Sequence, residues 1–185
     1  MIMRDILNVY SPITLDEMSG ISLMNRTDTK FVTGIERVRE LLFMAKNDYF
    51  VQQTGGMRIL SYYSVYFDTK TFDMYVAHQN GKLNRQKIRI RSYVDSGDNF
   101  LEVKTKNNRG QTDKKRIPVD AFDPFKPQYN IIFSGDVYDD KPNCVDFLKE
   151  YLYYSPVTLK ESLEIRFDRI TLVNKKKTER LTIDM

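Results

Sequence analysis

Arg85, Lys87, Arg89 and Arg91 stand at alternate positions of the stretch N-R-Q-K-I-R-I-R-S-Y, residues 84–93. Gln86, Ile88, Ile90 and Ser92 stand between them. A strand repeats every two residues, so the four cations project from one face and the isoleucines from the other. Charges of one sign then recur roughly every 6–7 Å. That spacing suits a polyanion with charge along its length. The plainer alternative is a half-buried antiparallel strand whose polar face meets only water. Such a face usually mixes signs, and this one does not.

Arginine grips phosphate oxygens through a two-pronged fork, and lysine as a point charge. Phosphoryl transfer asks little covalent help of a protein; it needs positioning and charge neutralisation. Cationic strand faces can be solvated, can bind an extended polyanion on an open sheet, or can line a closed barrel. Buried without anions they would be severely destabilising. An inward-facing version must therefore be wide, wet and anion-filled. The interleaved carboxylates Asp28, Glu102 and Glu164 suit a hard divalent metal that shares its oxygens with phosphate. Plain ion pairing with neighbouring cations is the other reading of the same three. No Gly-rich P-loop is present, which argues against a Walker-type nucleotide site.

The single histidine, His78, argues against a histidine zinc site and triad catalysis, and reads as a capping or packing residue. One cysteine, Cys144, excludes an internal disulfide framework and a cysteine metal cluster, so a reducing cytoplasm is expected. The chain has 185 residues, enough for one domain with a sizeable core. Hydrophobic residues at 41% and charged residues at 29% are those of a globular protein. The net charge of +4 is too mild to indicate nucleic-acid binding by itself. An RNA-binding sheet would need aromatics on the basic face, and Arg85–Arg91 is followed there only by Tyr93. No apolar run is long enough to cross a bilayer, and no signal peptide is read at the N-terminus.

The elements that position these residues follow from period and punctuation. Ser11–Met18 is expected as a short helix or turn, with Thr14 and Glu17 at capping-box spacing. Met24–Thr33 is expected as a strand with Arg26, Asp28 and Lys30 on one face. Ile35–Lys46 has helical spacing. Ile59–Asp68 is a tyrosine-rich strand and Phe72–Gln79 one or two helical turns. Phe100–Lys106 puts Glu102, Lys104 and Lys106 on one face. In Thr112–Val119, Lys114 and Arg116 share a face and Lys115 points the opposite way. Short turns at Asp95–Asp98 and Asn107–Gly110 make these three charged strands an antiparallel meander. Pro118, Pro124 and Pro127 predict loops and a broken helix up to Tyr138. Asn143–Tyr153 is expected as a helix, Thr158–Val173 as a long strand and Arg180–Met185 as a last strand.

The series R26-T-D28-T-K30-F, Y66-F-D-T, H78-x-N-G, R85-x-K87-I-R89-I-R91-S-Y, L101-E-V-K104, K114-K-R116, F167-D-R169 and R180-L-T-I-D resembles the VTC domain, from about Leu23 to the end of the chain. That domain is the polyphosphate polymerase of the vacuolar transporter chaperone family, within the triphosphate tunnel metalloenzymes (the CYTH-like superfamily). The resemblance implies an α+β fold: an antiparallel β-tunnel with flanking helices, one domain over residues 1–185 with a helical lead-in at 1–22. It implies transfer of the γ-phosphoryl of ATP to a polyphosphate chain, with Mn2+ or Mg2+ as cofactor. Lys30, Arg89, Arg91, Lys104, Lys114 or Lys115, Arg169 and Arg180 would contact phosphate. Arg26, Lys87 and Arg116 would add to them. Strand parity favours Lys114 over Lys115 unless a bulge intervenes, and Arg169 sits at the parity of Ile165 and Phe167. In the family the R-L-T-I-D strand is followed by an E-x-K strand carrying the metal-binding glutamate, whereas this chain stops at Met185. The expectation is an incomplete tunnel with weak or absent catalysis and open edges that invite homodimer pairing. A triphosphate hydrolase and a non-enzymatic polyphosphate-binding or nucleotide-binding module are the alternatives.

Overall fold

The computed structural model describes residues 3–19, 28–119 and 144–185. Arg26, the first residues of the expected strand at 24–33 and the proline-punctuated stretch from Pro124 to Tyr138 lie outside them. The class is α+β. The chain forms two compact units, one of Met1–Ser61 with Phe167–Met185 and one of Tyr62–Arg166.

The first unit starts with helix α1 (Met3–Asn8), strand β1 (Ser11–Ile13) and helix α2 (Leu15–Ser19). It continues with helix α3 (Ile35–Ala45) and strand β2 (Tyr49–Gln52). The later part of strand β7 (Leu159–Asn174) and strand β8 (Arg180–Asp184) complete it. Strand β1 runs parallel to β2, and β2 and β8 both run antiparallel to β7. Leu7, Tyr10, Val38, Leu42, Val51, Ile170 and Leu172 pack together between these elements. The Tyr10 hydroxyl donates to the Leu42 carbonyl, and Arg58 donates to the carbonyls of Leu7 and Tyr10.

Two expectations need correction here. Ser11–Met18 is not one helix: Ser11–Ile13 is extended because its backbone pairs with Phe50–Gln52, a long-range contact that periodicity does not encode. The capping box does form, with Thr14 Oγ1 accepting from the Glu17 amide at 3.2 Å and Glu17 Oε2 accepting from the Thr14 amide at 2.8 Å. Residues 28–33 are not a strand but irregular, exposed chain leading into α3. Their alternation of charged and threonine residues pairs with no strand among the described residues.

The second unit is the meander expected from the sequence. Strand β3 (Leu60–Thr69) leads to helix α4 (Asp73–Gln79), then strands β4 (Arg85–Tyr93), β5 (Asp98–Lys106) and β6 (Thr112–Pro118). Helix α5 (Cys144–Tyr151), a 3-10 turn (Pro156–Thr158) and the start of β7 follow. Strands β3, β4, β5 and β6 pair antiparallel in chain order. The two hairpin turns place Gly97 at φ 75° and Gly110 at φ 76°, a left-handed conformation that costs glycine little.

One face of this sheet is apolar. Tyr63, Val65, Phe67, Ile88, Ile90, Leu101 and Val103 pack beneath Met74 of α4 and Phe147 and Leu148 of α5. Each fully buried side chain of this kind contributes about 1.5–3 kcal/mol. Gln86 is buried on the same face. Its amide nitrogen donates to Thr105 Oγ1 at 2.8 Å and to the Tyr151 carbonyl at 2.7 Å, and its oxygen accepts from the Tyr153 amide at 2.8 Å. It thereby fastens the end of α5 to β4. Asp68 serves the other helix: its carboxylate accepts from the backbone amides of Thr69, Met74 and Tyr75 at 2.7, 3.0 and 2.9 Å. Those bonds satisfy the open N-terminus of α4, which begins after Phe72 in a left-handed conformation (φ 57°).

Candidate functional site: a basic face on strands β4 to β6

The opposite face of the second unit carries the cations. The register sets Lys87 beside Lys104, and Lys104 beside Lys114. The next row on this face is Arg89, Glu102 and Arg116, and the one after it Arg91, Phe100 and Pro118. Neighbouring strands lie about 4.8 Å apart, so three lysines stand abreast next to a row with one carboxylate between two arginines. Like charges directly opposite one another oppose pairing.

Glu102 is fully buried and is the local counter-charge. Arg89 donates from Nε to Glu102 Oε2 at 2.8 Å, with Nη2 2.7 Å from the same oxygen. Lys114 Nζ pairs with Oε1. Burial pushes the Glu102 carboxyl up, but Lys114 and Arg89 together outweigh it and hold the group below its ordinary value. Arg89 is itself buried, and its Nη1 donates to the Tyr66 hydroxyl at 3.0 Å. Arg91 donates to Ser64 Oγ at 3.3 Å and lies over the Tyr62 ring. Burial and the Arg89 charge press the Arg91 guanidinium below its usual value. Burial, then Arg89 and Lys114, do the same to the Lys104 amine. Lys87 and Lys104 have no carboxylate partner among the described residues. The face is thus over-supplied with positive charge, and an anion laid along it would relieve the excess.

The expected residues divide accordingly. Lys87, Arg89, Arg91, Lys104, Lys114 and Arg116 come together on this face. Lys115 does not: no bulge reverses the strand, and its amine lies over the Tyr151 ring on the helix-covered side. Glu102 is committed to Arg89 and Lys114, which is the ion-pairing reading of that residue. Glu164 is exposed on β7, and its charge raises the carboxyl of Glu161, after burial. Asp28 and Lys30 are exposed in the first unit. Arg169, also in the first unit, is held by Asp184 through Nε at 2.5 Å and Nη2 at 2.7 Å. Arg180 opens β8 opposite Val173. Among the described residues no three acidic, histidine or cysteine side chains converge on a point that could hold a metal. Among the described residues the carboxylates on this face offer a divalent ion Glu102 alone.

Three residues of β3 to which the sequence assigns no role in the site also belong here. Tyr62, Ser64 and Tyr66 alternate on β3 and sit opposite Tyr93, Arg91 and Arg89. The period-two pattern was visible; the register that brings it to the basic face was not. The face is consequently richer in aromatics than β4 alone suggests. Their rings are already engaged: Arg91 lies over Tyr62, Arg116 lies 4.4 Å from the Phe100 centroid, and Tyr93 packs edge-on against both rings. They are not an open stacking platform for bases.

Comparison with solved structures places the fold. A Bacillus halodurans protein provisionally named an adenylate cyclase superposes with a TM-score of 0.50 at 13% identity, covering 79% of this chain and 70% of its own. A Vibrio parahaemolyticus protein given the same provisional name aligns with a TM-score of 0.44 at 11% identity, over 83% of this chain and 63% of its own. This chain therefore spans somewhat under two thirds of the Vibrio protein. A search of curated proteins finds no match. The likeness to the Bacillus halodurans protein is one of fold. The VTC domain model matches residues 25–185, and the chain belongs to that family. No helix among the described residues is long and apolar enough to cross a membrane.

Proposed function

We propose that this chain binds triphosphate and polyphosphate on the basic face of β4, β5 and β6, and transfers the γ-phosphoryl of ATP to a polyphosphate chain. The observation that carries the reading is the row Lys87, Lys104 and Lys114 beside Arg89 and Arg91, with Glu102 alone as counter-charge among the described residues. Arginine forks and lysine ammoniums along a strand supply what a phosphoryl group in transit needs: fixed position and neutralised charge. The roles of Lys30, Arg169 and Arg180 rest on the family pattern alone. Manganese or magnesium, which the family resemblance implies, would reach the face on its phosphate ligand, as magnesium commonly does with one or two protein carboxylates at most.

The lack of a carboxylate cluster among the described residues favours a second reading, a polyphosphate-binding module without turnover. Metal dependence separates the two. Tripolyphosphate binding is measured by calorimetric titration for the wild type, Arg91→Ala and Lys104→Ala, and ATP consumption is followed with Mn2+, with Mg2+ and with chelator. Binding that is lost in both variants, together with metal-dependent polymer formation, supports the polymerase. Binding that survives chelator with no ATP consumed supports the module. Absence of tripolyphosphate binding refutes both.

A further inference from the structure

Ser64 of β3 stands directly opposite Arg91 of β4, and Tyr62 and Tyr66 flank it on the same face. Paired residues of this kind have Cβ atoms about 4.5–5.5 Å apart, so their side chains share one space. Ser64 is small and only 1% exposed, and it leaves room for the guanidinium beside Tyr62. Arg91 Nε donates to Ser64 Oγ at 3.3 Å, and Arg91 Cζ stands 5.6 Å from the Tyr62 ring centroid. Tyr62 is itself braced, edge-on to Tyr93 with ring centroids 5.2 Å apart. The hydroxyl holds the guanidinium along one edge, and the ring limits its tilt.

Arg89 lies two residues earlier on the same strand face, and it is held differently. Its Nε and Nη2 stand 2.8 and 2.7 Å from Glu102 Oε2, and its Nη1 donates to the Tyr66 hydroxyl at 3.0 Å. All three of its nitrogens are turned onto protein groups. Arg91 has no carboxylate partner among the described residues, and only its Nε is bonded to one of them. Neither Nη1 nor Nη2 of Arg91 is shut away from solvent. A guanidinium is planar and rigid, and it can grip an oxyanion along its Nε–Nη2 edge or along its Nη1–Nη2 edge. With Nε given to Ser64, the Nη1–Nη2 edge is the one that remains. The two arginines are therefore not equivalent.

We propose that Ser64 is a positioning residue of the anion site: by holding Arg91 Nε it presents the Nη1–Nη2 edge as the fork that takes two oxygens of one phosphoryl group. The proposal rests on the phosphate-binding reading above. It gives the two arginines separate tasks. Arg89 is the partner of Glu102 and steadies the middle of the sheet, and Arg91 supplies the directional grip. The group such a fork selects is a tetrahedral oxyanion with two unsubstituted oxygens on one centre, which each unit of a polyphosphate chain offers. The neighbouring lysines are point charges and set no such orientation. Loss of the Ser64 hydroxyl leaves every charge in place and removes only the aim, so binding weakens with the net charge unchanged.

The test measures tripolyphosphate affinity by calorimetric titration at neutral pH and fixed salt. The chains are wild type, Ser64→Ala, Ser64→Thr, Arg91→Lys, and Arg91→Lys combined with Ser64→Ala. Lysine keeps the charge but sets a methylene where Nε stands, so Ser64 has nothing to hold there. In the wild-type background Ser64→Ala should weaken binding about threefold to tenfold, the worth of one hydrogen bond. Ser64→Thr keeps the hydroxyl and should bring affinity back to within about twofold of wild type. In the Arg91→Lys background Ser64→Ala should change affinity by less than about twofold, because the two residues act as one unit. A serine that merely fills space would cost the same in both backgrounds. Equal losses in the two backgrounds, or no loss in the wild-type one, overturn the Ser64 role alone. A wild-type chain that binds no tripolyphosphate overturns the phosphate-binding reading, and this proposal with it. If the extra methyl of Ser64→Thr prevents folding, the comparison of Ser64→Ala between the two backgrounds decides.

Discussion

Replacing Glu102 with glutamine removes the one negative charge from the middle of the basic face and leaves its shape almost unchanged. The cost follows from burial. Glu102 is fully buried and Arg89 is 9% exposed, with Nε and Nη2 at 2.8 and 2.7 Å from one carboxylate oxygen. Breaking a buried pair by removing one partner costs about 3–5 kcal/mol, because the other charge is left without compensation. The lower end applies here, since the Lys114 side chain on the second oxygen is 35% exposed and water can reach it. At roughly 2–4 °C per kcal/mol for a chain of this size, about 3 kcal/mol lowers the melting temperature by roughly 6–12 °C. Scanning calorimetry at neutral pH in chloride buffer reads this directly. Tripolyphosphate should then recover much of the deficit, because ligand at a hundred times its dissociation constant adds about 2.7 kcal/mol by mass action. The pH dependence is a further check. The folded Glu102 carboxyl is held below its unfolded value, so its stabilising contribution is present above the unfolded pKa and is lost as pH falls through the folded one. The gap between wild type and Glu102→Gln should therefore narrow once the pH is below the ordinary glutamate value and close as it passes through the lower folded one. A variant melting within about 2 °C of wild type at neutral pH, without polyanion, would refute the account of Glu102 as the structural counter-charge.

The two faces of β6 and β5 should respond differently to loss of a lysine. Lys104→Ala should weaken tripolyphosphate binding by roughly tenfold to a hundredfold, the worth of one hydrogen bond to a charged group, while Lys115→Ala stays close to wild type in the same titration. Gln86→Leu leaves the Tyr153 amide and Tyr151 carbonyl without their partner. It should cost about 2–4 kcal/mol, seen as a lower urea midpoint, with phosphate affinity intact because Gln86 lies on the covered face. Asp68→Ala uncaps α4 and removes support from the left-handed Phe72. The expected loss is about 1–2 kcal/mol, with faster amide exchange at Met74 and Tyr75 as its local signature.

What the sequence made legible was local and periodic. The alternation at residues 85–91 gave β4 and both of its faces, and the same parity put Lys114 with the cations and Lys115 away from them. The capping box at Thr14 and Glu17 was readable because all its partners lie within three residues. What stayed hidden was decided by register between distant segments. β1 and β2 are three and four residues long, and they exist because they pair with each other and with β7. Tyr66 and Ser64 look like ordinary strand residues until the hairpin sets them against Arg89 and Arg91. Arg169 carries a family motif, yet its guanidinium is taken by Asp184 on the adjacent strand, fifteen positions away. For Glu102, spacing allowed both metal binding and ion pairing. Pairing β4 with β5 and β6 brings out the ion pairs, because it delivers Arg89 and Lys114 to its two oxygens.

The same alternation also explains how a face so poorly neutralised can exist at all. Three lysines abreast and two arginines beside them would disfavour strand pairing if the sheet depended on that face. It does not, because Ile88, Ile90, Leu101 and Val103 on the other side are buried under α4 and α5, and Gln86 and Asp68 fix those helices in place. Stability is thus lodged on one face and electrostatic tension on the other. Glu102 limits the tension without removing it: its single charge is shared by Arg89 and Lys114, while Lys87 and Lys104 have no carboxylate among the described residues. A sheet that merely needed a solvated polar face would be more stable with acidic residues at those positions. Under the proposed function a bound polyanion would offset that repulsion, and the row of lysines across β4, β5 and β6 suits one that carries its charge in a line.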